Sequence, residues 1–336
     1  MRGFIFFSMA CLGVRIFAQV STPQPIIGAM GYSYPIPLSV APGQMITVFV
    51  DGANTQLTAP VRAVGTSLPT MLAGVSVTYR QGMDQPVPIL EVRPISTCLG
   101  IPLPPGGGCT MILAVTAQMP FNMLTVCPVC GRLDIPATVG VTVNGVTGPL
   151  ISVQPLADQV HFLTTCDVMT PGSQPRIYPT KLPCTPTVTH ADGKPVSATN
   201  PAKGGEELVA YAVGLGQTNP PLTAGESAST AAPTVTLFAI DFNYRRNALP
   251  TQPAGPSFFF TPDMYPTPVF TGATAGFVGL YQINFIVPPV PNGLPTCVDT
   301  TGIVPFTNVV QSNLTVSVGS AFSFDGAGIC VQPIDR

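Results

Sequence analysis

Of the chain's 336 residues only 8% are Asp, Glu, Lys or Arg, against about 25% in an ordinary soluble protein, and the formal net charge is −2. So weak a field offers no electrostatic hold on nucleic acid or on an anionic membrane. The 40 prolines and 33 glycines exclude a mainly helical fold, since each interior Pro costs a helix about 3 kcal/mol and each Gly about 1.

Residues 1–19 have the form of a secretory signal peptide. Arg2 precedes an apolar run from Phe4 to Phe17, and Ala18 stands where a signal peptidase needs a small residue. Arg15 interrupts the run too late for a span of about 20 apolar residues, so no membrane span is expected after cleavage. Ala10-Cys11 invites comparison with a lipoprotein box, but Ser8 replaces the aliphatic residue such a box requires. Cleavage near Ala18 or Gln19 is therefore preferred over lipidation at Cys11. It leaves Cys98, Cys109, Cys127, Cys130, Cys166, Cys184, Cys297 and Cys330, and an even set in an exported chain predicts disulfides. Connectivity cannot be deduced, but Cys98 with Cys109 and Cys166 with Cys184 are the economical neighbours.

Strand signals follow in chain order. Residues 45–50 read as a buried strand. Val75-Ser76-Val77-Thr78-Tyr79 and Val139-Gly140-Val141-Thr142-Val143 alternate apolar with small or hydroxyl residues, as half-buried antiparallel strands do. Residues 157–185 carry Pro171, Pro175, Pro179 and Pro183 and read as a stiff connector. Residues 208–213 and 281–287 again read as buried strands, and Leu314-Thr315-Val316-Ser317-Val318 as a half-buried one. Asp51-Gly52, Asn144-Gly145, Asp192-Gly193, Asn292-Gly293 and Asp325-Gly326 supply the turns. The order repeats at about half the chain length. Ala41-Pro42-Gly43-Gln44-Met45 is answered by Ala202-Lys203-Gly204-Gly205-Glu206, and Ile151-Ser152-Val153-Gln154-Pro155 by Ile329-Cys330-Val331-Gln332-Pro333. An all-β chain of two tandem antiparallel β-sandwich domains, 21–156 and 186–336, accounts for this pattern.

Cys127-Pro128-Val129-Cys130 most resembles chemistry, but a redox pair needs a helix N-terminus and a βαβ context that the flanks do not supply. A zinc site there would need Cys98 and Cys109, whose spacing fits no familiar pattern, so structural disulfides lead over metal or redox work. His161 is expected at a strand edge, half buried, and His190 on a solvated turn. Glu206-Glu207 would point to opposite faces of a strand, which denies them a shared proton. Asn313-Leu314-Thr315 matches a glycosylation sequon on a strand and is read as accidental. No catalytic constellation or cofactor motif emerges.

Tyr211-Ala212-Val213-Gly214-Leu215-Gly216-Gln217 and Gly276-Phe277-Val278-Gly279-Leu280-Tyr281-Gln282-Ile283-Asn284 resemble the C-terminal domain family of secreted Solibacter-type acidobacterial proteins. Ala41-Pro42-Gly43 and the segment from Leu68-Pro69 to Val75 resemble the same family's N-terminal part. The resemblance implies exported, Ig-like β-rich modules and brings no activity with it. Residues 241–266 form an excursion beyond the family pattern. Tyr244, Arg245, Arg246, Phe258, Phe259, Phe260 and Tyr265 within it are candidates for contact with a cell-envelope protein or a glycan; the competing reading makes the Phe triplet a strand or a core plug. The expectation is a secreted or envelope-associated, non-catalytic structural or interaction module. A glycan- or protein-binding adhesin using the excursion is the first alternative, and a cysteine-based metal or redox protein the second.

Overall fold

The computed structural model describes residues 24–31, 39–53, 56–96, 110–126, 136–167, 184–255, 265–298 and 310–334, and these are all-β, with no helix among them. In the N-terminal half the strands are β1 Ile26–Gly31, β2 Ser39–Val40, β3 Met45–Asp51, β4 Val61–Arg62, β5 Met71–Leu72, β6 Val75–Gln81, β7 Met83–Val87, β8 Ile89–Ser96, β9 Met111–Gln118, β10 Ala137–Val143, β11 Val146–Thr147 and β12 Ile151–Pro155. The C-terminal half contains β13 His161–Phe162, β14 Val188–His190, β15 Glu207–Val213, β16 Ala232–Pro233, β17 Ala239–Asn243, β18 Phe270–Ala273, β19 Tyr281–Ile286, β20 Leu314–Gly319 and β21 Phe324–Ile329.

The first half folds into one sheet ordered β1-β3-β9-β8-β4 and a second ordered β2-β12-β10-β6-β5, with β11 and β7 added as hairpins. Val48 and Val115 from the first sheet pack with Val77, Val141 and Val153 from the second in one apolar core. The second half follows a parallel course. One sheet runs β13-β15-β19-β18-β16 with β14 also on β15, and a smaller sheet runs β17-β20-β21. Leu208, Ile283 and Phe285 pack with Val316 and Ile329 in the second core. In each half the lead-in segment turns parallel to the last strand: β2 pairs with β12, and Ala202 bridges Val331. Each then enters its first long strand through the same turn. Ala41 N–H donates to Gln44 Oε1 at 2.7 Å, and Lys203 N–H to Glu206 Oε2 at 2.9 Å.

Alternation in β6 and β10 produces the expected buried inner face. Two expectations differ. β15 and β19, expected to be buried throughout, alternate instead, because Tyr211, Gln282 and Asn284 occupy their outer faces half exposed. β20, expected half buried, is buried at every position. The cause is the segment after β17, which lies over the outer face of β20. Thr315 Oγ1 donates to Ala248 O at 2.8 Å, Thr251 N–H donates to Ser317 Oγ at 3.1 Å, and Pro250 packs on Gly326. Asn247 Oδ1 accepts the N–H groups of Gln311 and Ser312 at 2.9 and 3.0 Å. The excursion 241–266 thus begins as part of strand β17, and its residues 247–251 act as a cover.

Residues 161–162, expected in the connector, are β13 and pair with β15, while Val160 and Phe162 enter the second core. Cys166 and Cys184 form a disulfide, as expected of neighbours, with Cα atoms 5.3 Å apart. Cys297 and Cys330 form another, with Cα atoms 5.8 Å apart. Such bonds persist in oxidising compartments outside the cytoplasm. Cys98, Cys109, Cys127 and Cys130 lie outside the described residues, as does the Pro-rich stretch 168–183.

Candidate functional site

The Gly-rich blocks singled out in the sequence lie where the two halves meet. Gly214 follows β15 at φ +78°, and a Cβ there would collide with the carbonyl of Gln159 and approach Gln44. The turn between β18 and β19 carries Gly279 at φ +65°, seated against Met45 and the amide of Gln118. At both positions an L side chain would meet an unfavourable backbone conformation and occupied space. These glycines therefore let the halves approach at backbone distance.

Polar bonds fix the seam. Gln118, buried at the end of β9, donates from Nε2 to Gly43 O at 3.1 Å and accepts Gly225 N–H on Oε1 at 2.6 Å, so one amide joins the halves. Ser67 bridges Glu226 in an antiparallel pairing, flanked by Leu68 N–H to Gly225 O at 2.8 Å and Ser227 N–H to Thr66 O at 3.2 Å. Gln217 Nε2 donates to Phe121 O at 3.3 Å.

Beside this seam is a cleft of about 460 Å³. Its floor is an apolar cluster drawn from both halves: Met45 and Leu90 from the first, Leu163, Tyr211, Val213 and Leu280 from the second. Phe277, more than half exposed, lies on its wall. Among the described residues Arg62 is the one charged side chain lining it, and Thr66, Thr187, Tyr211 and Ser227 contribute hydroxyls. Behind the wall, the buried carboxylate of Glu91 receives Arg93 and, at 3.4 Å, Arg62.

The two histidines are held elsewhere. His161, in β13, sits between Asp167 at 3.0 Å and Asp325 at 3.1 Å, its side chain 19% exposed. Burial by itself disfavours its charge, but the two carboxylates outweigh burial and raise the pKa to about 9. Asp325 also accepts Phe162 N–H at 3.0 Å, and Asp167 accepts the N–H and hydroxyl of Thr164. Next to them Asp158 is buried on the hydroxyls of Ser320 and Ser323. Desolvation raises its pKa to about 6 against the opposing effect of those bonds. This network stitches residues 158–167 to the β20–β21 hairpin. His190 ends β14 and is mostly buried rather than solvated, because its ring faces Glu206 and the Asn200 carbonyl. Burial opposes its charge, yet these two acceptors raise its pKa. Glu206 belongs to the turn ahead of β15, whereas Glu207 accepts Asn284 Nδ2 at 3.0 Å, so the adjacent carboxylates serve different partners.

Of the residues expected to meet a partner, Tyr244 is half buried, packs on the second core and donates its hydroxyl to Pro288 O at 2.8 Å. Arg245 and Arg246 are exposed, and Tyr265 is half buried. Phe258, Phe259 and Phe260 lie outside the described residues. Tyr244, Arg245, Arg246 and Tyr265 do not line the cleft. The sequon residue Asn313 is fully buried, its amide donating to Pro295 O and Val331 O and accepting Val331 N–H. Sequence reasoning missed Arg62, Gln118 and Tyr211. Arg62 is one of only 13 basic residues in the chain, but nothing local marks the cleft, whose walls come from segments about half the chain apart.

No family model matches the chain, and no curated protein matches it.

Proposed function

We propose that the chain is an exported, non-catalytic structural or interaction module of the bacterial cell exterior, built as two tandem Ig-like β-sandwiches of the Solibacter-type secreted family. The observation that carries this reading is the matched strand order of the halves. Sheets β1-β3-β9-β8 and β2-β12-β10-β6 share one core, while β14-β15-β19-β18 and β21-β20-β17, with Ala202 bridging Val331 just past β21, share the other. Two sheets packed over one core in each half are the architecture of Ig-like sandwiches, and the parallel pairing of the lead-in segment in both halves supports an internal repeat. The disulfides support export. Commitment of both histidines to carboxylate partners supports a structural use of the titratable groups, since a ring with both nitrogens facing acceptors is a poor general base.

Production of the full chain in an export-competent bacterial host tests the reading. The protein should leave the cytoplasm with its N-terminus near Gln19 and gain about eight hydrogens on reduction. Cytoplasmic retention with free thiols and bound zinc would reject it. The exposed pair Arg245 and Arg246 favours a second reading, in which the excursion grips an envelope protein or glycan. Their joint replacement by Ala should then abolish retention on envelope fractions without lowering thermal stability.

A further inference from the structure

We propose that the cleft between the halves is a binding site for a small amphiphile with an apolar body and a single anionic group, the body seated on Leu90, Leu163, Phe277 and Leu280 and the anion on Arg62. This goes beyond the module reading and does not depend on export. At about 460 Å³ the cleft lies within the range of small-molecule sites, which are mainly apolar with a few placed polar groups.

The charge arrangement selects the ligand. Glu91 is shared by Arg62 and Arg93, so these three groups sum to one positive charge. Arg93 is the more buried of the two, its side chain 14% exposed, while Arg62 remains 45% exposed and holds Glu91 through a single 3.4 Å contact. The guanidinium therefore keeps donors for an incoming acid, and a carboxylate or sulfonate matches their planar fork. Glu226 adjoins the lining residue Ser227 in sequence and accepts a hydrogen bond from Ser67 Oγ at 3.2 Å. A carboxylate at that rim disfavours a dianion, so one negative charge is the better match.

Hydroxyls of Thr66, Thr187, Tyr211 and Ser227 line the cleft without a side-chain hydrogen bond among the described residues, which leaves them for a ligand's polar atoms. The seam made by Gln118 and by the Ser67–Glu226 pairing holds both walls in place before binding, which reduces the ordering that a ligand must impose.

Fluorescence titration of the full disulfide-bonded chain supplies the test. The probes are 8-anilinonaphthalene-1-sulfonate, an apolar monoanion, and N-phenyl-1-naphthylamine, a similar body without charge. One saturable site is expected for each. Arg62→Gln should weaken the sulfonate about tenfold and leave the uncharged probe within about twofold. Ser227→Trp, which fills the cleft, should remove both; should that variant fail to fold, Thr66→Trp on the exposed rim carries the blocking test. Equal sulfonate affinity in Arg62→Gln, or folded blocking variants that bind both probes as the parent does, would overturn the proposal. Export and disulfide content are not read by this titration, so its failure leaves the module reading standing.

Discussion

Strands β10 and β20 begin from the same pattern, aliphatic residues alternating with Gly, Thr or Ser, and occupy the same position in their sheets, next to the last strand. Their outer faces differ. On β10, Gly140 lies under the side chain of Leu150, itself 42% exposed, and Thr142 meets Thr147 in the open. On β20, Thr315 and Ser317 are buried under the backbone of residues 248–251. Alternation therefore decides which side faces the core, while the other side takes the environment that a distant segment brings to it. The same hydroxyl is a surface group in one half and a buried, bonded group in the other.

Experiments can break the contrast between the halves in order of size. The described disulfides both lie in the C-terminal half, so replacing Cys297 and Cys330 together by Ser should lower stability in denaturant by about 4 kcal/mol, through the loop of 33 residues that the bond closes. A loss under 1 kcal/mol would mean that the cover and core hold the C-terminal strands without it.

Next in size is the His161 network. Its folded pKa is raised from 6.5 to about 9, so its contribution is complete below about pH 6.5 and disappears as pH rises through 9; that shift is worth on the order of 3 kcal/mol. Asp158, with its pKa raised to about 6, contributes stability at low pH that is lost as pH rises from about 4 through 6. Unfolding midpoints of the parent and of His161→Gln should thus differ most near pH 6 and converge by about pH 9.5; a constant difference across that range refutes the assignment.

Gln118→Leu removes two buried bonds that cross or brace the seam and leaves Gly225 N–H unpaired, so a loss of about 2 kcal/mol is expected, with separation of one unfolding transition into two. Calorimetry reads both effects, and a single unshifted transition would show that the halves do not depend on this amide. The smallest effect tests the outer faces directly. Thr315→Val should cost about 1 kcal/mol and Thr142→Val under about 0.5, because only the first takes a buried hydroxyl away from a part-buried carbonyl. Equal costs would remove the distinction between cover and open surface.

Much of the fold was legible in particular residues. The Val75 and Val139 runs alternate and became β6 and β10; Asn144-Gly145 became the tight turn between β10 and β11, with both residues at positive φ. Cys166 and Cys184 paired as neighbours. The Gly-Leu-Gly and Gly-Phe-Val-Gly blocks were readable as places where the chain must turn, but not as the docking surface of one half on the other, since their partners Gln44, Met45 and Gln118 are remote in sequence. His190 looked like a solvated turn residue because its partner Glu206 is brought beside it by the pairing of β14 with β15.

The sequence by itself determined an all-β chain of short strands, because period-two alternation and Pro/Gly punctuation are local and leave no room for a helix. Tertiary structure alone decided what lies outside β20, which amide joins the halves and that Arg62 borders an apolar cleft. Each of these needs segments far apart in the chain to meet, and a local pattern fixes which face of a strand is apolar without specifying what will be packed against the other.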